Sequence, residues 1–191
     1  VQLDEFLARF QHPSTLQAQR DFPGLPTIRQ AAVLVSLVVL EGELQVLFTR
    51  RSSHLKHHGG QVSFPGGKYE QGDELLVNTA IRETQEEIGV VVPHSQILGQ
   101  LSNYPTISGF NVTPFIASIP ELPELRLDEN EVSDVFYVPL KHLANPQNYY
   151  IHYVQRQQRR YPVYFFPWGD DYIWGATAGM LINLALQLQK S

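Results

Sequence analysis

Residues 47–90 read LFTRRSSHLKHHGGQVSFPGGKYEQGDELLVNTAIRETQEEIGV, and the rest of the chain is organised around this stretch. Its second half pairs two glycines, Gly66 and Gly67, with a run rich in carboxylates that closes on Arg82-Glu83-Thr84-Gln85-Glu86-Glu87-Ile88-Gly89. On a helix from Asp73 to Ile88, at about 100° per residue, Val77, Ala80, Ile81, Thr84 and Ile88 share one mostly apolar stripe. Glu83, Glu86 and Glu87 share a neighbouring face. Their i,i+3 and i,i+4 spacings bring like charges together, which weakens an isolated helix. One reading is a solvated acidic face. The other is a site for a hard divalent cation, which takes carboxylate and carbonyl oxygens and often joins them to substrate phosphates.

The turn before the helix favours the second reading. In Phe64-Pro65-Gly66-Gly67, proline fixes φ and the glycines allow backbone groups to approach an ion or phosphate closely. Asp73 is the expected acidic cap at the helix start. A glycine turn feeding a carboxylate-bearing helix is the arrangement of a metal–phosphate cradle.

The 191 residues are 43% hydrophobic and 17% charged, as expected of one globular domain over 1–191 with a substantial core. The net charge of -5 gives no global attraction to nucleic acid or to an anionic membrane. An anionic ligand therefore needs local cations or a metal. With no cysteine, disulfides and thiolate zinc sites are excluded. No stretch has the length of a transmembrane helix. Val1 to Glu5 lacks the basic and apolar regions of a signal peptide, so a cytoplasmic protein is expected.

Along the chain, Leu3, Phe6, Leu7 and Phe10 predict an amphipathic helix over 2–11, ended by Pro13. Residues 21–28 read as an irregular connector. Ala31–Leu40 and Leu44–Arg50 predict a hairpin turning at Glu41-Gly42-Glu43, which delivers Arg50 and Arg51 to the glycine turn. Further strands are expected over Ile97–Asn103, Asn111–Ile119 and Glu131–Val138, with an aromatic loop over Tyr104–Phe110 and a helical turn over Leu140–Ala144. Tyr149–Gln155 and Tyr161–Phe166 predict a second hairpin. Ala176, Met180, Leu184 and Leu188 mark a core helix, and Trp174 before it is read as core. Strands mixed with a few helices give an α/β (α+β) class.

The stretch resembles the Nudix box. Gly67 matches its first glycine, Asp73 its spaced acid, and Arg82, Glu83, Glu86, Glu87, Gly89 and Val90 the remainder. Two departures are a gap from Asp73 to Arg82 that is one residue longer and Thr84 in place of an aliphatic residue. Upstream, Leu47-Phe48-Thr49, Arg51-Ser52, Lys56, Gly60 and Phe64-Pro65-Gly66-Gly67 resemble the motif of the coenzyme A pyrophosphatase subfamily. Lys56 stands where that motif commonly has arginine. The combined match covers about a quarter of the chain.

The resemblance implies the Nudix fold, a mixed β-sheet sandwiched between α-helices. It implies hydrolysis of the diphosphate of coenzyme A and its derivatives to 3′,5′-ADP and 4′-phosphopantetheine, with Mg²⁺ or Mn²⁺ as cofactor. Glu83, Glu86, Glu87 and the backbone of Gly66 and Gly67 would bind metal. Arg82 would orient a glutamate, and Arg51, Lys56 and Gly60 would contact substrate. Glu83 and Glu131 are both candidates for general base. His54, His57 and His58 add partial positive charge near the turn. The expected partner is a small-molecule substrate, with no nucleic acid and no membrane, and a homodimer is the candidate assembly. The alternatives are a Nudix hydrolase of ADP-ribose or a dinucleotide and a non-catalytic nucleotide-binding module.

Overall fold

The computed structural model describes residues 2–11, 29–55, 58–121, 123–156 and 158–189. The connector expected over 21–28, the break at Pro13, and Lys56 and His57 lie outside them. Helix α1 (Leu3–Phe10) forms as its spacing predicts, with Phe6 and Phe10 buried and stacked 5.3 Å apart.

Strands β1 (Arg29–Leu40) and β2 (Glu43–Arg51) form the expected antiparallel hairpin. Glu41 and Gly42 both have positive φ, the backbone that a two-residue turn matched to strand twist requires. The two strands pair at the hairpin end, Leu37–Leu40 with Glu43–Val46, and then diverge. Two short strands fill the wedge. β3 (Val62–Ser63) pairs with Thr49 and Arg50 of β2, and β4 (Gly66–Lys68) pairs with Ala31–Val33 of β1. Phe64 between them stacks on Phe48 at 5.1 Å, and Leu34 N–H donates to the Pro65 carbonyl at 2.8 Å. The expected glycine turn is thus a strand at its glycines. Gly-Gly has little strand propensity, and the pairing with β1 imposes the extended form.

After helix α2 (Leu76–Ile88) come β5 (Ile97–Gln100), β6 (Tyr104–Pro105) and β7 (Phe110–Ile119). The strand expected over Ile97–Asn103 ends early, and its irregular pairing with β7 falls at Ile97–Gly99. β7 runs parallel to β1 along ten residue pairs, while the other pairings are antiparallel, so the sheet is mixed. β8 (Val132–Pro139) pairs with the other edge of β2. Next come α3 (Leu140–Leu143), β9 (Tyr150–Arg156), β10 (Arg159–Trp168), β11 (Asp171–Trp174) and α4 (Gly175–Leu188). β9–β11 make a second, three-stranded sheet. No helix among the described residues is long and apolar enough to cross a membrane.

Strand alternation divides the core. Ala32, Leu34, Val38 and Leu47 meet Ala80 and Ile88 of α2 on one face. Val35, Leu37, Val46 and Phe48 meet α1, α4 and the second sheet on the other, through residues such as Phe6, Leu181 and Phe166. Helices therefore cover both faces of the sheet.

The same alternation separates two adjacent arginines. Arg51 points to the α2 face. Arg50 points to the α4 face, where its guanidinium grips Asp171 of β11 through two bonds of 2.7 Å and lies 5.5 Å from the Phe136 ring. Arg50 is thus a tie between the two sheets and not a cation at the glycine turn. Arg50 holds the Asp171 carboxyl below its ordinary range by hydrogen bonding. A depressed folded pKa contributes stability above the unfolded pKa and loses it as pH falls through the folded value. Asp171→Asn is expected to lower stability at pH 7 by about 1 kcal/mol, a Tm drop of roughly 2–4 °C. The gap to wild type should persist down to about pH 5 and shrink below about pH 4. Thermal melts of both proteins check it, and an equal gap at about pH 3.5 and pH 7 would contradict the assignment.

Candidate active site

Helix α2 starts at Leu76, later than the expected Asp73, and its N-cap Leu75 has no side-chain cap bond. Asp73 instead closes a short 3₁₀ turn, Gln71–Asp73, in a reciprocal capping box with Glu70. The chain then kinks at Glu74, with φ 59°. The buried Asp73 carboxylate accepts from Thr79 Oγ1 at 2.7 Å, Arg82 Nε at 2.8 Å and the Glu70 N–H at 2.9 Å. The bonds from Arg82 above all hold it far below the usual carboxylate range. Thr84, the departure from an aliphatic residue, is fully buried and donates its hydroxyl to the Ala80 carbonyl at 2.7 Å, so nothing polar is stranded.

Arg82 is the hub of this region. Besides Asp73 it donates to Glu83 Oε1 and Glu86 Oε2, each at 2.9 Å, and more weakly to the Lys68 carbonyl at 3.3 Å. One guanidinium thus orients two glutamates, fixes the turn before the helix and touches the end of β4, a use suited to its rigid fork of donors.

Glu83 packs directly on the glycine strand. A Cβ on Gly67 would lie 2.5 Å from the Glu83 carboxylate, so a larger residue there would displace that carboxylate. At Gly66, φ is 152° and a Cβ would fall 2.6 Å from Val33 Cα. Glu87 is 2% exposed, and its Oε2 has no hydrogen-bond partner among the described residues. Its cationic neighbour is Arg51, whose Nη1 stands 3.9 Å from Oε1, and a backbone bond from Gly66 also favours the charged form. Burial pushes the Glu87 carboxyl up to about 8 against the pull of Arg51. Burial likewise raises Glu83, opposed by Arg82.

The acidic loop comes to this pair by backbone pairing. Arg126 N–H donates to the Ile88 carbonyl and Asp128 N–H to the Glu87 carbonyl, at 2.9 and 3.0 Å. Ser52, just after β2, donates its N–H to the Glu131 carbonyl and its hydroxyl to the Glu129 carbonyl, both at 2.8 Å. Glu131 sits one residue before β8, exposed, and its charge acts on both Glu83 and Glu87. Ser52 was visible in the sequence only as part of a motif, and its clamp on this loop had no separate signal. Gly60 lies in a turn with φ 77° and gives its N–H to the Arg51 carbonyl at 2.9 Å. His58 Nδ1 pairs with Gln61 at 2.6 Å.

The structure thus brings Gly66, Gly67, Glu83, Glu87, Arg51 and Glu131 to one end of the sheet. It does not close Glu83, Glu86 and Glu87 into one cage. Glu86, 59% exposed at its side chain, turns to Arg82, and among the described residues no three His, Asp or Glu side chains make a closed metal-binding group. The donor set nonetheless suits a hard cation. Among the described residues a buried carboxylate oxygen lacks any donor, a second carboxylate is pressed against Gly67, and oxygen ligands are the type Mg²⁺ and Mn²⁺ accept.

Comparison with known proteins agrees with this architecture. A NUDIX domain profile matches residues 29–159. A protein of Pectobacterium atrosepticum named uncharacterized Nudix hydrolase NudL is 37% identical over 186 residues, covering 97% of this chain and 94% of its own. A protein of the same name from Yersinia enterocolitica is 37% identical over 188 residues, with 97% and 93% coverage. Among solved structures, a MutT/nudix family protein from Enterococcus faecalis superposes with a TM-score of 0.55 at 18% identity, covering 97% of this chain and 68% of that one. The chain belongs to the Nudix hydrolase family, whose members generally use divalent metal ions.

The Arg82 hub makes a stability prediction. Asp73→Asn keeps the shape and removes the charge that faces Arg82. It should lower stability by about 2 kcal/mol and Tm by roughly 4–8 °C. Calorimetry checks it, and an unchanged Tm would mean that the other bonds of Arg82 suffice.

Proposed function

We propose that this protein hydrolyses the diphosphate bond of coenzyme A and its derivatives, giving 3′,5′-ADP and 4′-phosphopantetheine or its acylated form, and that residues 1–191 act as one Nudix domain. The observation that carries the reading is the position of Arg51. The upstream motif ends β2 so that this cation stands 3.9 Å from the buried Glu87 carboxylate. A diphosphate joined to the glutamates through a divalent cation would therefore also meet the Arg51 guanidinium.

Glu83, Glu86, Glu87 and the backbone carbonyls of Gly66 and Gly67 hold Mg²⁺ or Mn²⁺ in this reading. Such an ion would supply charge neutralisation at the diphosphate and a lowered pKa for a water. Arg82 keeps Glu83 and Glu86 in place from behind. Arg51 and Lys56 hold substrate phosphate oxygens, and Gly60 supports that contact by binding the Arg51 carbonyl. Glu131 is the general base. Its carboxylate is exposed and makes no hydrogen bond among the described residues, whereas Glu83 is already engaged by Arg82 and packed on Gly67. It takes a proton from the attacking water as a P–O bond forms, and the P–O bond to the leaving phosphate breaks.

Two experiments test this. Glu131→Gln should lower kcat by about 10²–10⁴-fold with Mn²⁺ affinity nearly unchanged, and a loss of only a few-fold would return the base role to Glu83. In a panel of coenzyme A, 3′-dephospho-coenzyme A and ADP-ribose, coenzyme A should show the highest kcat/KM. Arg51→Ala should reduce that value by roughly tenfold or more through loss of a charge-assisted contact. Equal efficiency toward ADP-ribose would leave the Nudix assignment standing and overturn the coenzyme A reading.

A further inference from the structure

Among the described residues, the second sheet ends on an uncovered edge. Its strands run in the order β11-β10-β9, so β9 pairs with β10 on one side only. Open edges are templates for pairing, and proteins blunt them with short strands, bulges, prolines or charges. β11, the opposite edge, has four residues and carries Asp171. β5, an edge of the main sheet, has four residues and an irregular register. β9 runs over Tyr150–Arg156 in continuous register with β10. It contains no proline, lysine or carboxylate, and Arg156 stands at its very end.

Pro162 shows which backbone groups of β9 point outward. It lies opposite Tyr153. A hydrogen-bonded antiparallel pair exchanges both N–H groups, and proline has none. Tyr153 is therefore in a non-bonded pair with β10 and turns its N–H and C=O to the open side. By alternation, so do Ile151 and Gln155. That row is self-complementary. With a two-fold axis at Tyr153, this residue meets the partner's Tyr153 and Ile151 meets the partner's Gln155, each in a hydrogen-bonded position of an antiparallel ladder.

The side chains on this edge are largely apolar and open. Tyr150 is 64% exposed, Ile151 44%, Tyr153 50% and Val154 42%. Trp174, expected in the core, is 43% exposed and stands in one row of the outer face with Phe165 and Tyr150. With the exposed His152 and Gln155, β9 leaves roughly 500–600 Å² per copy to be covered. Two copies would bury about 1,000–1,200 Å², the size at which specific interfaces begin. Charge also favours a second copy. Residues 149–169 contain no Asp or Glu, although the chain has 19 of them and a net charge of -5. Two acidic molecules meet here without opposing carboxylates. In the register centred on Tyr153, position 156 falls opposite position 150, so the Arg156 positions of the two copies lie at opposite ends of the ladder.

We propose that β9 pairs antiparallel with β9 of a second copy about a two-fold axis at Tyr153, joining two three-stranded sheets into one continuous sheet. The inference does not depend on the substrate, because the glutamates and Arg51 lie on the other face of the main sheet. Sedimentation velocity of the full chain from about 1 to 100 µM tests it, since an interface of this size belongs to micromolar complexes. Tyr153→Pro removes an outward N–H and spares the bonds to β10, so it should weaken dimerisation by about tenfold or more. Ile151→Lys puts a charge on the edge and should act in the same direction, and its circular-dichroism melt shows whether the chain still folds. In hydrogen exchange, the Tyr153 amide should be protected at about 100 µM and exchange freely at about 1 µM. The Val154 amide, which faces β10, should be protected at both. A monomer throughout the range overturns the inference, and Tyr153 protected at every concentration would then mean that the edge is closed within one chain. A dimer that both variants leave intact overturns it as well, by placing the contact on another surface.

Discussion

The contact between Glu83 and Gly67 constrains everything around it. The carboxylate lies where a side chain on Gly67 would have to be. Its helix sits close to β4, and a side chain at position 67 would push the carboxylate away. β4 holds its extended form because β1 and β2 diverge and leave a wedge that only a short inserted segment can fill. Removing ionised carboxylates from water costs several kcal/mol each unless partners compensate. Arg82 supplies much of the compensation, with bonds to Asp73, Glu83 and Glu86 at 2.8–2.9 Å. Asp73 in turn fixes the guanidinium from the far side. The anchor of the site is thus an acidic residue that takes no part in the chemistry proposed for it.

Glu87 is left outside the Arg82 network, and the Arg51 charge and a Gly66 backbone bond offset its burial in part. Its Oε2 is buried without a donor, and Arg51 is too distant at 3.9 Å for a hydrogen bond. Such a group destabilises the fold, and natural proteins keep these local violations mainly where function needs them. The uncompensated oxygen and the glycine strand face the same space, and both make sense if a cation occupies it.

Much of this was legible in the sequence, and the failures have specific causes. The first hairpin, α2, α4 and the glutamate face followed from periodicity and turn residues. The helix start did not, because an acidic residue ahead of an apolar run reads as a helix cap, whereas Asp73 caps a 3₁₀ turn and reaches Thr79 and Arg82 across the kink at Glu74. β3 and β4 were invisible because their extended form comes from the wedge and not from their residues. Trp174 read as core because it adjoins a core helix, yet it ends a strand at the edge of the second sheet. Glu86 shares a helical face with Glu83 and Glu87, but helical spacing carries no information about which glutamate Arg82 will engage. Lys56 and His57 lie outside the described residues.

The pair Arg50-Arg51 shows why the sequence stops where it does. Two identical neighbours on a strand project to opposite faces, and nothing in their own sequence says which faces the carboxylates. The parity is set far away, by Val46 and Phe48 meeting one core and Leu47 the other. An irregularity in the pairing with β8 lies at these same residues, and it lets Val132 and Val135 both face the α2 side despite their odd spacing. The result is one strand end with two different duties. Arg51 meets the glutamates, while Arg50 locks β11 and its terminal Trp174 against the sheet. The charged centre and the tie to the second sheet are consequently set by consecutive residues of one strand, on opposite faces of the main sheet.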